Sequence, residues 1–442
     1  MPKYLSIPSY ANLKRFQLYI SYIGVLHLGY LDGIYIRYGG KDMRSIDRRD
    51  LDGMRSNIFL LQAAISAIAI AVSFIIKDMA MFVFALCLIP ENVSTLYKNL
   101  YQATGEYSRY SMVLNIKSVI TLIVYVLLLF VIKTDNYIWY TLVYLLNMLV
   151  IWVYTEIDIK KNLQYGFKPR FAPKELFSDA KLGIVLMLGN FAVTLLTGID
   201  RWFVNFLFEE SMFAYYAFAV NVQTMLNTFI VPLSTTLYNY FCRVTDIQKI
   251  KELKSMCLAF GIFLISSAFI ISFIVETFIA KYVPSLNVLF LLFASQLIYL
   301  IVHSIYVNIY KARKQQKRYL KQLIIVLILG AAYNTVFYLL MHSIEGIAIG
   351  TLLSVITWYI ICLISVPEIR FGWKEHAALI LCLAAFLTAG YILPSIIGFA
   401  SYVVFAAVVC LIFIRKSFIS AIRAGIDMIF SKLGKRNKKT AG

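Results

Sequence analysis

The sequence predicts an all-α, polytopic membrane protein, and three observations carry the prediction. Of its 442 residues, 61% are hydrophobic and 15% charged; soluble domains run at roughly 45–50% apolar and about a quarter charged. The mean hydropathy is +0.76. Apolar runs of bilayer length follow one another along the chain, and lysine and arginine are dense in every second loop between them. No polar stretch is long enough for a soluble domain. A free cytoplasmic enzyme, a secreted protein and a DNA-binding factor are excluded on composition. The net charge of +19 is then a matter of loop placement rather than of nucleic acid.

A bilayer-crossing helix needs about 20 mostly apolar residues, because lipid offers no partner to a bare backbone N–H or C=O. Thirteen spans are predicted, at 16–36, 58–76, 79–101, 112–132, 137–155, 181–208, 212–239, 255–280, 286–309, 322–341, 345–366, 376–393 and 396–414. The first is the weakest, since it carries Asp32 and several glycines. The fourth is an almost unbroken apolar run.

Orientation follows from basic residues in short loops. Taking alternate loops, one side holds 34 lysines and arginines and the other 6. A missed span in the middle would collapse that bias, so the rich side is expected to be cytoplasmic, with the carboxyl terminus there. The odd number of spans places the amino terminus outside, although MPKYLSIPSYANLKRF carries no signal-peptide pattern. The opposite loops are only a few residues long. The tail 417–442 alternates apolar and basic residues and is expected to lie as a basic amphipathic segment on anionic lipid.

Catalytic and nucleotide-binding signatures are absent. There is no GxxxxGK[ST], no HExxH, no GxSxG and no glycine-rich dinucleotide turn. The six cysteines show no CxxC spacing and only four histidines are present, so neither a metal nor another cofactor is expected. Function is therefore sought in polar residues inside apolar helices. Asn190, Thr194, Thr197, Arg201 and Asn205 recur at helical spacing, as do Gln296, Tyr299, His303, Tyr306 and Tyr310. Most such side chains simply bond a neighbouring helix. Stripes recurring on several helices are expected to line one wet cavity. Ionisable groups weigh more, because a charge at bilayer depth costs at least about 2.5–3.5 kcal/mol. Asp32, Arg37, Glu91, Lys117, Asp200 and Arg201 are the candidates of this kind, and with Asn190, Gln296 and His303 they form the expected substrate-binding or gating set. Cations beside hydroxyls and aromatic rings suit an anionic head group bearing sugars. Asp32 or Glu91 would serve a pump coupled to H⁺ or Na⁺.

The stretch YISYIGVLHLGYLDGIYIRYGG (19–40) resembles the amino-terminal part of bacterial polysaccharide and O-antigen repeat-unit flippases, of the multidrug/oligosaccharidyl-lipid/polysaccharide (MOP) exporter superfamily. GIDRWFVNFLF and FAYYAFA, within 198–219, resemble the start of the second lobe in the same family. The resemblance implies two pseudo-symmetric helical lobes, at 1–165 and 166–372, with two further transmembrane helices in 373–416. On that plan the first lobe has five helices, the family's first helix being absent. The implied activity is not enzymatic. It is transfer of undecaprenyl-diphosphate-linked oligosaccharide across the cytoplasmic (inner) membrane for surface polysaccharide or capsule synthesis. The implied partners are that lipid-linked substrate, membrane lipid, a coupling cation (H⁺ or Na⁺), and a polysaccharide polymerase or glycosyltransferase, with no nucleic acid. Two rival readings are a cation-coupled multidrug exporter and a membrane enzyme acting on lipid-linked sugars.

Overall fold

The structure is a computed structural model and describes residues 1–162, 167–243 and 246–423. Among these residues every regular element is helical. The chain divides into two compact units, Met1–Gly198 and Ile199–Gly442.

The first unit holds α1 (Ile7–Ser21), α2 (Tyr30–Tyr38), α3 (Arg48–Ile76), α4 (Met79–Ala103), α5 (Tyr107–Val126), α6 (Tyr137–Asn162) and α7 (Pro173–Leu196). Local chemistry sets their ends. Ser6 caps α1, Asp47 caps α3 and Asp78 caps α4, each side chain accepting from a free amide of the first turn. Between α1 and α2 the chain makes a 3-10 turn and then passes through positive φ at Leu28 (54°) and Gly29 (80°). That break divides the first predicted span in two, which explains why its sequence reads weakly as one helix. α4 runs through the middle of the unit. Its Val93, Leu96, Tyr97 and Leu100 pack with Leu31, Ile34, Met54, Ile58 and Ile151. Val83, Phe84, Cys87 and Leu88 pack with Phe16 and Met148.

The second unit holds α8 (Ile199–Leu207), α9 (Glu210–Met225), α10 (Asn227–Phe241), α11 (Ile247–Ile265), α12 (Ser267–Phe278), α13 (Leu286–Ile301), α14 (Val307–Ala312), α15 (Gln316–Met341), α16 (Ile344–Ser365), α17 (Trp373–Ile392) and α18 (Ser395–Phe413). α13 is its central helix, buried nearly all round against α9, α11, α16 and α17.

Among the described residues, eleven helices are long and apolar enough to cross a membrane. They account for all the predicted spans except the first and the seventh, which are the broken pairs α1/α2 and α9/α10. Phe130 and Val131 of the α5 span are 53% and 69% exposed. A face that apolar is at home in lipid and would be a liability in water. This is a multi-pass membrane protein.

Two expected stripes do not survive as single faces. The helix holding Asn190, Thr194 and Thr197 ends at Leu196 and restarts at Ile199, so Arg201 and Asn205 stand on a separate element. A π-helical turn at Val302–Tyr306 adds a residue to the stripe from Gln296 to Tyr310 and rotates its second half. Of the predicted tail, 417–423 is helical and 424–442 lies outside the described residues.

Candidate functional site

In the first unit, α2 and α7 approach along glycines. A β-carbon on Gly29 would lie 2.8 Å from Ile184 Cα, and one on Gly33 or Gly183 would strike the opposing main chain. Close backbones bring Arg37, one turn beyond Gly33, to Asp179: Nη2 is 3.3 Å from the carboxylate, whose side chain is 3% exposed. Arg37 also lies over the Tyr38 ring at 4.8 Å, and the Tyr38 hydroxyl donates to Asp50 at 2.9 Å. Glu175, one turn before Asp179, binds Arg170 at 2.7 Å. Asp179 did not emerge from the sequence stripes. The available signal was Gly29–Tyr–Leu–Asp–Gly33, a small-xxx-small spacing that demands a close helical neighbour.

The connector into α7 is fixed by its main chain. Lys168 N–H donates to Asp52 at 2.7 Å and Arg170 N–H to Ser56 Oγ at 3.0 Å. The Asn57 amide pairs reciprocally with Ala172, accepting at 3.0 Å and donating at 2.9 Å.

Glu91 follows Pro90 in α4. Proline removes one main-chain donor there, and the Ser94 hydroxyl bonds the Pro90 carbonyl. Lys98 Nζ sits 2.8 Å from Glu91 Oε1, the two side chains being 15% and 13% exposed. The Thr95 hydroxyl bonds Glu91, and Lys117 of α5 interacts with it electrostatically. The structure thus brings Glu91 and Lys117 together and adds Lys98, which the expected set does not include.

Asp32 lies in the first turn of α2, half-buried, its carboxylate 3.7 Å from His27 Nε2 in the helix break. Gln62 steadies that break by donating to Leu26 O at 2.9 Å while accepting from Asn92 at 3.0 Å. Asn190 is exposed on α7, two turns past Gly183, and its carbonyl accepts from Thr194 at 3.0 Å.

In the second unit, Asp200 is buried and takes the Tyr216 hydroxyl at 2.8 Å and the Arg201 amide at 2.8 Å. Those bonds tie α8 to α9. Arg201 is half-buried beside Asp200. Gln296 is 5% exposed, accepting from Gln223 at 2.9 Å and donating to Asn227 at 2.9 Å. His303 stacks on Tyr299 with ring centroids 5.2 Å apart. Gln296 and His303 thus have separate partners and do not form one cluster. A further cation was missed: Lys254 of α11 is fully buried. It donates to the Tyr306 hydroxyl and to Ile369 O (3.0 Å), with the Phe371 ring 3.9 Å away. Sequence counting had assigned it to a basic loop. Among the described residues no three His, Cys, Asp or Glu side chains gather as a metal site requires.

What these units define is a helical membrane protein with charged groups held at depth. The fold resembles that of a known lipid flippase. The chain superposes on the lipid II flippase MurJ in an inward closed conformation with a TM-score of 0.69, at 15% identity, over 94% of this chain and 95% of that one. A MATE in its straight conformation gives 0.45 at 12% identity, covering 83% of this chain and 95% of that chain. An outward-facing MATE family transporter of the MOP superfamily gives 0.43 at 13%, covering 83% of this chain and 96% of that chain. No family model matches the sequence, and no curated protein matches it. The flippase-like fold expected from the sequence blocks is borne out by the first of these likenesses.

Proposed function

We propose that this protein is a flippase that moves undecaprenyl-diphosphate-linked oligosaccharide repeat units across the bacterial cytoplasmic membrane for surface polysaccharide synthesis. The observation that carries the reading is the fold, shared over 94% of the chain with a lipid II flippase. Charged groups at membrane depth support it, because polar groups there are expensive and mark a substrate path. In this reading the chain is organised as the lobes expected at 1–165 and 166–372, with the added helices of 373–416. Asp32, Arg37, Glu91, Lys117, Asn190 and Arg201 contact cargo or gate it, and Asp200, Gln296 and His303 hold the helices that present them. The basic loops and the carboxyl terminus face the cytoplasm. No covalent step is required, and a coupling cation, H⁺ or Na⁺, would enter at Asp32.

The experiment is reconstitution of the purified chain in liposomes with a fluorescent undecaprenyl-diphosphate oligosaccharide in both leaflets. A membrane-impermeant quencher should reach about half of the label in empty liposomes and nearly all of it once the protein equilibrates the leaflets. Label that stays half protected, with a cationic dye transported instead, would overturn the reading in favour of a multidrug exporter.

A further inference from the structure

Glu91 and Lys117 lie deep in the membrane-spanning part of the first unit. By helix rise, Glu91 is about 18 Å from the Ala103 end of α4 and Lys117 about 15 Å from the Tyr107 end of α5. Measured from the edges of the apolar spans 79–101 and 112–132, Glu91 is about 15 Å and Lys117 about 8 Å inside a hydrocarbon core roughly 30 Å thick. Around Glu91 the charges do not balance. One carboxylate faces two ammonium groups, Lys98 at 2.8 Å and Lys117 within electrostatic range. Among the described residues Lys117 makes no ion pair of its own. The cluster therefore carries one surplus positive charge where an unpaired charge is least tolerated.

One side of the cluster is partly exposed. Along α4, Glu91, Thr95, Lys98 and Asn99 are half-buried, while Asn92, Val93, Ser94, Leu96 and Tyr97 between them are buried. Those four recur at helical spacing, so the half-buried stripe of α4 carries a carboxylate, a hydroxyl, an ammonium and an amide on one face. Asn99 donates to Leu31 O at 3.3 Å, which places the stripe beside α2. Every donor on it suits oxyanions, and Glu91 is the one group that competes with them for the lysines.

We propose that Glu91 is an internal counter-ion: it occupies a two-lysine anion site formed by Lys98 and Lys117 until the diphosphate of the cargo displaces it. This deepens the flippase reading and rests on it. A diphosphate brings enough negative charge to balance both lysines, and Thr95 and Asn99 supply neutral donors beside them. Once Glu91 is displaced, its carboxylate is left without a lysine partner, so the exchange favours return to the empty state after release.

The test is calorimetric binding of inorganic pyrophosphate to the full chain in nanodiscs, with unfolding midpoints confirming that each variant is folded. Removing the competitor with Glu91→Gln should tighten binding about 5–10-fold, whereas Lys117→Gln should weaken it at least 10-fold. Glu91→Asp keeps the charge and should bind as the wild type does, separating charge from packing. A purely structural pair predicts the opposite sign, so Glu91→Gln binding no tighter than wild type overturns the proposal. Discs of phosphatidylglycerol and of phosphatidylcholine distinguish the anion's source. Equal affinity in both supports a cargo site, and strong competition by phosphatidylglycerol assigns the lysines to bilayer lipid and overturns it. Flipping by the wild type alongside unchanged pyrophosphate binding in Glu91→Gln and Lys117→Gln defeats the site alone. Absence of flipping defeats the broader reading.

Discussion

Replacing Arg37 with alanine removes the cation that faces Asp179 across the α2–α7 seam. Asp179 is 3% exposed and its partner 28%, so the carboxylate loses its counter-charge in a nearly dry contact while Glu175 and Asp50 still repel it electrostatically. Breaking a buried pair from one side costs about 3–5 kcal/mol. Because Arg37 is partly exposed, that scale is discounted to about 2–4 kcal/mol. For a cooperative unit near 200 residues each kcal/mol moves the unfolding midpoint by about 2–4 °C, so Arg37→Ala should lower it by about 4–16 °C. Asp179→Asn should cost less, since the long guanidinium side chain can turn toward solvent. The double variant should be more stable than Arg37→Ala alone, giving a coupling of about 1–3 kcal/mol in a double-mutant cycle. The assay is thermal unfolding in detergent followed by tryptophan fluorescence. A midpoint for Arg37→Ala within about 1 °C of wild type, or strict additivity in the cycle, would refute the view that this pair holds the seam.

Other expectations follow from the same geometry. Gly183→Val drives a branched side chain into the Gly29–Gly33 main chain and should destabilise by about 1–3 kcal/mol or more, read as a lowered midpoint and as poorer recovery of folded protein from membranes. Asn57→Ala removes both bonds to Ala172 and should expose 167–172 to limited proteolysis several-fold faster than in wild type. Lys254→Ala leaves the Ile369 carbonyl and the Tyr306 hydroxyl without their donor and opens a cavity, costing about 2–4 kcal/mol. Lys254→Met fills the volume and should cost less, which the same midpoints will show. Arg313, 2.5 Å from Glu368 in the loop before α17, holds that carboxyl below its usual range. A lowered carboxyl contributes stability that is present above its ordinary value and lost as pH falls through the depressed one. Both groups are over a third exposed, so the effect stays below about 1 kcal/mol. The midpoint difference between wild type and Glu368→Gln should exist at neutral pH and vanish in acid.

The bundle was legible because lipid leaves the backbone few choices: apolar runs of bilayer length read as helices, and the bounds of α4, α16, α17 and α18 fall within a few residues of the predicted ones. Breaks were less legible. Leu28–Gly29 and Thr197–Gly198 interrupt helices through backbone geometry that an apolar count cannot register. The π turn at Val302–Tyr306 has no sequence signature that a 3.6-residue period would reveal. Among charged residues, Glu91 and Lys117 were found because they sit inside apolar runs. Lys98, Asp179 and Lys254 were missed because they lie near predicted span ends, where a solvated charge is the ordinary expectation. Their burial comes from neighbours distant in sequence, such as Arg37 for Asp179 and Phe371 for Lys254.

The stitching of 167–172 onto α3 has a consequence for how freely this stretch can be rewritten. On this stretch Asp52, Ser56 and Asn57 bind main-chain amides and a carbonyl, groups that every residue except proline supplies in full. The exposed side chain at 168 is therefore open to replacement, whereas Ala172 is buried against α3 and proline at 168, 170 or 172 would unpick a stitch. A reporter dye or affinity handle fits at 168, while the matching polar trio on α3 tolerates almost no editing.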